Sequence, residues 1–200
     1  MRKALLVVTI LLLTSGIAFA LPIAGTGQLG SFTGSFEYNS GKISVFLANT
    51  SPAANGGYLT AFAFGLPGSF TCTLDSAPGG FSLLGGSDGS ISVSPFKDLD
   101  LGASATKGDW LGGGSPRGGL GVGQTGTFGF SLAGDFPGLT TDSFFGAGDP
   151  WIAVRFRGFE NGGSDKVVPG NPVPEPVSML LFGTGAVVFG GYIRRQHKKR

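Results

Sequence analysis

The chain has 200 residues, of which 38 are Gly and 12 Pro, with 13% charged residues, one Cys and one His. So much Gly works against a helical bundle, because each helical Gly costs about 1 kcal/mol relative to Ala, and the lack of a three-residue period excludes collagen. With 41% hydrophobic residues and a formal net charge of +2, the chain is equally unlike a disordered one and can bury a core.

In chain order, Met1-Arg2-Lys3 come first, then an apolar run from Ala4 to Leu13 and an Ala18-Phe19-Ala20 step. A basic start, an apolar stretch too short to span a bilayer and an A-x-A site make the pattern of a secretory signal peptide. Residues 1–20 are therefore expected to be a signal helix cut after Ala20 by signal peptidase, leaving Leu21 as the first mature residue. No Cys follows the apolar run, so a lipoprotein anchor is excluded.

Residues 21–176 carry seven bases and all twelve acids of the chain, a net charge of −5. The basic balance of the whole comes from its two ends. Nucleic-acid binding, which needs a basic patch against phosphates, has no support.

Short alternating runs follow. Phe32, Phe36 and Tyr38 share one parity, and Ile43, Val45 and Leu47 alternate with Lys42, Ser44 and Phe46. The run from Tyr58 to Phe64 is apolar on both faces and suits a central strand. Phe70, Cys72 and Leu74 form the next run, and Ile91 and Val93 the one after, between serines. Residues 101–124, with Gly112-Gly113-Gly114 and Gly118-Gly119, read as a long loop. Phe128, Phe130 and Leu132 make another strand, and Ile152, Val154 and Phe156 oppose Ala153, Arg155 and Arg157. Turn clusters such as Asn55-Gly56-Gly57 and Ala77-Pro78-Gly79-Gly80 divide them. The fold expected for residues 21–172 is all-β, an antiparallel, jelly-roll-like β-sandwich.

Chemistry is narrowed by exclusion. His197 lies in the C-terminal tail, so residues 21–172 cannot form a Ser-His-Asp or Cys-His site or a His-ligated zinc centre. No catalytic residue, cofactor or metal is expected. Cys72 shares the parity of Phe70 and Leu74 and reads as a buried structural thiol, the alternative being a reactive one. Gly121-Val122-Gly123-Gln124-Thr125-Gly126 matches G-x-G-x-x-G, but a strand follows where dinucleotide binding needs a helix, so it reads as a turn. Asp98 and Asp100 would share a face in a strand and could pair for acid/base work or hold Ca²⁺. Gly85-Gly86-Ser87-Asp88 and Gly162-Gly163-Ser164-Asp165 could be Ca²⁺-loop fragments; for both sets the plainer reading is turns and a solvated face. Arg155 and Arg157 could fork onto sugar-acid carboxylates, against the plainer reading of pairing with Asp or covering apolar surface.

The C-terminal end has three parts: Pro174-Glu175-Pro176, an uncharged apolar stretch from Val177 to Ile193 and the basic tail 194–200. Residues 177–193 as a helix reach roughly 25 Å, enough for a single transmembrane helix in a thin bilayer, and the tail should stay cytoplasmic. A permanent anchor is one reading. The composite also resembles the PEP-CTERM sorting signal, over residues 174–200. That resemblance implies Pro174, Glu175 and Pro176 as recognition residues for exosortase, a membrane protease, with the helix as a transient anchor. It also implies a Gram-negative envelope, often alongside exopolysaccharide production. The segment Trp151–Phe159 with Gly162–Val167, and Leu59–Phe64, are similar to strands of a PEP-CTERM type with a Gly/Phe-rich β ectodomain.

The expected organisation is thus a signal peptide (1–20), a sandwich ectodomain (21–172) and a sorting signal (173–200). The expected function is an exported, non-catalytic envelope or matrix protein, transiently membrane-anchored and then released to the surface. The alternative is a carbohydrate-binding sandwich for the surface polysaccharide, favoured if Trp110 or Trp151 forms an exposed platform.

Overall fold

The computed structural model describes residues 20–66, 71–86, 91–106, 110–111, 113–134, 138–145 and 150–170. The chain divides into two units, Met1–Pro169 and Gly170–Arg200. Of the second, only Gly170 is among the described residues.

Among the described residues eleven strands run in chain order: β1 (Leu21–Thr26), β2 (Ser31–Asn39), β3 (Lys42–Asn49), β4 (Gly56–Phe64), β5 (Thr71–Ser76), β6 (Ser82–Gly85), β7 (Leu101–Ser104), β8 (Leu120–Gly121), β9 (Thr125–Ala133), β10 (Ile152–Phe159) and β11 (Ser164–Val167). The only helical turns among the described residues are three short 3₁₀ pieces. The strands form two antiparallel sheets. One has the order β1-β2-β3-β9-β5, the other β11-β10-β4-β7-β6 with β8 also beside β4. The fold is all-β, with the two sheets packed face to face.

Local sequence explains much of this. Between β2 and β3, Ser40 and Gly41 both take positive φ (48° and 80°) and close the Asn39–Lys42 pair. That is the two-residue hairpin turn whose twist matches the strands it joins. From β3 inward, Ile43, Val45 and Leu47 are all buried, as period-two alternation requires. They meet an aromatic layer from both sheets: Phe62 touches Phe128 edge-on with ring centroids 4.7 Å apart, and Phe36 meets Phe64 at 5.3 Å. Such tilted pairs add to the area that the rings already remove from water.

Strand β4 is central, between β10 and β7, and is buried on both faces, in line with its continuous apolar run. Its inner face supplies Leu59, Phe62 and Phe64 to the main core. Its outer face supplies Ala61 and Ala63, which join Ala153, Ile91, Val93, Leu99 and Trp110 in a second apolar cluster. Ile91, Val93 and Leu99, which precede β7, and Trp110, which follows it, therefore cover the outside of this sheet.

Two expectations are corrected here. Residues 101–124 are not one long loop, because β7 and β8 lie within them. All four β7 residues are buried, so no alternation marks the strand, and small residues disguise it as loop. Gly102 is required: a Cβ there would collide with the Phe62 carbonyl of the neighbouring strand. Conversely, Ile91 and Val93 are buried as expected but form no strand, only one bridge from Ile91 to Leu99.

Candidate functional site

The outer face of the five-stranded sheet carries the richest collection of accessible polar chemistry. Alternation turns Lys42, Ser44 and Phe46 of β3 outward, while Ile43, Val45 and Leu47 face the core. Strand register then fixes their neighbours. Phe46 lies between Ser35 on β2 and Thr127 on β9, and Ser44 between Glu37 and Gly129. Lys42 lies opposite Asn39 on one side and Ser131 on the other.

A polar cluster crosses β3, β9 and β5. The Lys42 ammonium donates to Asp75 Oδ2 at 3.0 Å and also to Ser131 Oγ. Ser131 Oγ in turn donates to Asp75 Oδ2, and Thr73 Oγ1 to Asp75 Oδ1 at 3.0 Å. The Ser131, Lys42 and Thr73 hydrogen bonds hold the Asp75 carboxyl below its ordinary value. A carboxylate held low is a weak base, so Asp75 draws little on the Ser131 proton. Beside the cluster lies a groove of about 280 Å³, lined by Glu37, Ser44, Asp75, Ser76 and Gly129 among others.

The residues singled out from sequence fall elsewhere. Ala20 is exposed and directly precedes β1. Pro174, Glu175 and Pro176, with the apolar stretch 177–193 and the basic tail, lie outside the described residues, as do Ser87 and Asp88. Among the described residues no helix is long and apolar enough to cross a membrane. Cys72 is buried in the main core, and burial, helped by the charge of Asp75, pushes its thiol up to about 11.

Asp98 and Asp100 flank the bridging Leu99 outside any strand. Asp98 is exposed, whereas Asp100 accepts the Leu66 N–H at 2.7 Å, so the two carboxylates do different things. Asp165 is a backbone clamp: its Oδ2 accepts N–H groups from Leu29 (2.8 Å) and Gly30 (3.1 Å), tying β11 to the turn before β2. No group of three or more possible metal ligands occurs among the described residues. The G-x-G-x-x-G run joins β8 to β9, with Gln124 Oε1 accepting from Gly121 N at 2.7 Å. It is a turn between strands.

Arg155 is buried and donates to the Trp110 carbonyl, so it does not face external sugar acids. Trp110 and Trp151 are 2% and 5% exposed, each in an apolar cluster, and neither forms a platform. Among the described residues, the one exposed aromatic on this sheet face is Phe46. The sequence does signal it, since Phe46 occupies the polar parity of its own strand. Compared with protein-family models, curated proteins and solved structures, the chain matches none.

Proposed function

We propose that the chain is an exported, non-catalytic protein of the cell envelope or extracellular matrix. A signal helix is removed after Ala20, and an exosortase-type membrane protease acts on the C-terminal signal. The observation that supports this most directly is where the described strands begin and end. Strand β1 starts at Leu21, the residue after the expected cleavage site, and the last described strand, β11, ends at Val167. Both tripartite ends therefore lie, in sequence, outside the span of the described strands, as a targeting signal that is read and removed requires.

In this reading the ectodomain is a jelly-roll-like sandwich, a description supported by the way β3, β4, β5 and β6 alternate between sheets. Residues 177–193 cross the inner membrane as one helix until the protease reads Pro174-Glu175-Pro176. The prolines hold that segment extended, which is the form a protease binds. Non-catalysis is argued from the lack of His in residues 21–172 and from the low basicity of Asp75.

The test is mass spectrometry of the surface fraction in a host with the protease. The mature chain should begin at Leu21 and lack residues beyond about 176, and Glu175→Ala should hold full-length protein in the inner membrane. A surface form that retains Tyr192 and Ile193 would sink the reading and leave a plain anchor.

A second reading, a glycan-binding module, draws support from one feature only. The exposed Phe46, beside a groove, supplies the aromatic platform that the buried tryptophans do not.

A further inference from the structure

Outward positions on a sandwich strand are ordinarily polar. Phe46 breaks that rule, standing 38% exposed between the fully buried Val45 and Leu47. It is flanked by hydroxyls from both neighbouring strands, Ser35 and Thr127. One row along the same face, Ser44 lies between Glu37 and Gly129, where the Ser76 hydroxyl packs over the glycine, and Glu37, Ser44, Ser76 and Gly129 all line the groove. Neighbours across strands are about 5 Å apart, and rows on one face about 7 Å. Ring and groove are therefore contiguous.

We propose that this face binds a neutral polysaccharide, one sugar ring lying on Phe46 and the next seated in the groove between Glu37, Ser44 and Asp75. The proposal rests on the glycan-binding reading above and adds the site and the class of sugar. A sugar ring has an apolar C–H face that packs on an aromatic plane and a rim of hydroxyls that need donors and acceptors at fixed places. Phe46 supplies the plane. Glu37 and Asp75 accept, and the Ser and Thr hydroxyls do both. At about 280 Å³ the groove lies at the small end of ligand sites, room for a ring and not for a folded chain.

Charge selects the sugar. Among the described residues the groove is lined by two carboxylates, Glu37 and Asp75, and one ammonium, Lys42, which is already paired with Asp75 at 3.0 Å. An acidic sugar would meet a surplus negative charge with no cation released to receive it. A protein partner is disfavoured as well, because a stable interface needs a broad apolar centre of roughly 800 Å² per side, and this face offers a single ring.

The experiment is a binding titration of the full-length protein in detergent micelles. The probes are neutral gluco- and galacto-oligosaccharides and their uronic-acid counterparts. Neutral probes should bind and acidic ones should not. Phe46→Ala should weaken binding about tenfold, Phe46→Tyr should keep it, and Glu37→Gln should weaken it several-fold. Val122→Ala, at an exposed position in the β8–β9 turn, should change nothing. Circular dichroism matching the parent shows that each variant is folded, and Glu37→Gln carries the test if Phe46→Ala is not. No binding to any probe would overturn the glycan-binding reading itself. Binding indifferent to Phe46→Ala and Glu37→Gln would overturn this site alone, and a preference for uronic acids would overturn the class of sugar.

Discussion

At Cys72 a single thiol reports on its surroundings. It sits on β5, faces the main core and donates to the Thr73 carbonyl at 3.5 Å. Burial first, and the Asp75 charge second, raise its pKa from 9.0 to about 11, which at neutral pH leaves about a hundredfold less thiolate than an ordinary Cys has. Labelling by a thiol reagent should therefore be slow in the native protein and fast once it is unfolded in urea. The folded value lies above the unfolded one, so the protonated thiol favours the folded state. That contribution is whole below pH 9 and is lost as pH rises through 11. Melting temperatures across that window should fall more steeply in the parent than in Cys72→Ala. Strand parity alone puts Cys72 in the core, but it could not pair Lys42 with Asp75, which are 33 residues apart and meet only because β9 lies between their strands.

Among the elements, β7 shows why a strand can escape a sequence reading. Leu101-Gly102-Ala103-Ser104 has neither alternation nor β-branched residues, because both of its faces are covered and β4 passes very close. The close approach is the testable point. Gly102→Val would drive a side chain into the Phe62 carbonyl, and overpacking of this kind costs about 1–3 kcal/mol or more. Urea unfolding should show the midpoint falling accordingly, or the variant failing to fold. A midpoint unchanged from the parent would mean that β4 and β7 are not packed this closely. Strand β11 was similarly hard to see from period two, since only its last residue, Val167, is fully buried. Its place is secured by the Asp165 carboxylate on Leu29 and Gly30, a contact spanning more than 130 residues.

For the molecule as a whole, the aromatic layer between the sheets carries the stability. Phe62 is fully buried and meets Phe64, Phe128 and Phe130, the last two from the opposite sheet. Phe62→Ala should cost about 3–5 kcal/mol, a large share of the 5–15 kcal/mol typical of a domain. Equilibrium unfolding would check it, and a cost below about 1 kcal/mol would contradict a core closed by inter-sheet rings. The same scale decides which surfaces are free. The outer face of the six-stranded sheet is covered by Ile91, Val93, Leu99 and Trp110, whereas the five-stranded sheet keeps Phe46 exposed.

Alternation and turn chemistry by themselves determined the all-β class, the inward parity of β2, β3, β9 and β10 and the central position of β4, because these depend on neighbours one or two residues away. Composition alone shows that residues 21–172 contain no His. Tertiary structure alone decided which apolar residues are covered from outside. Trp110 and Trp151 look like candidate platforms in the sequence, yet each is buried by segments distant along the chain. It also decided that Phe46, Glu37, Ser44 and Asp75 share one face, since strand register and the insertion of β9 between β3 and β5 set those distances. The physical reason is the range of the forces involved. Backbone geometry is written in local spacing, while burial and site assembly arise from contacts between residues far apart in the chain.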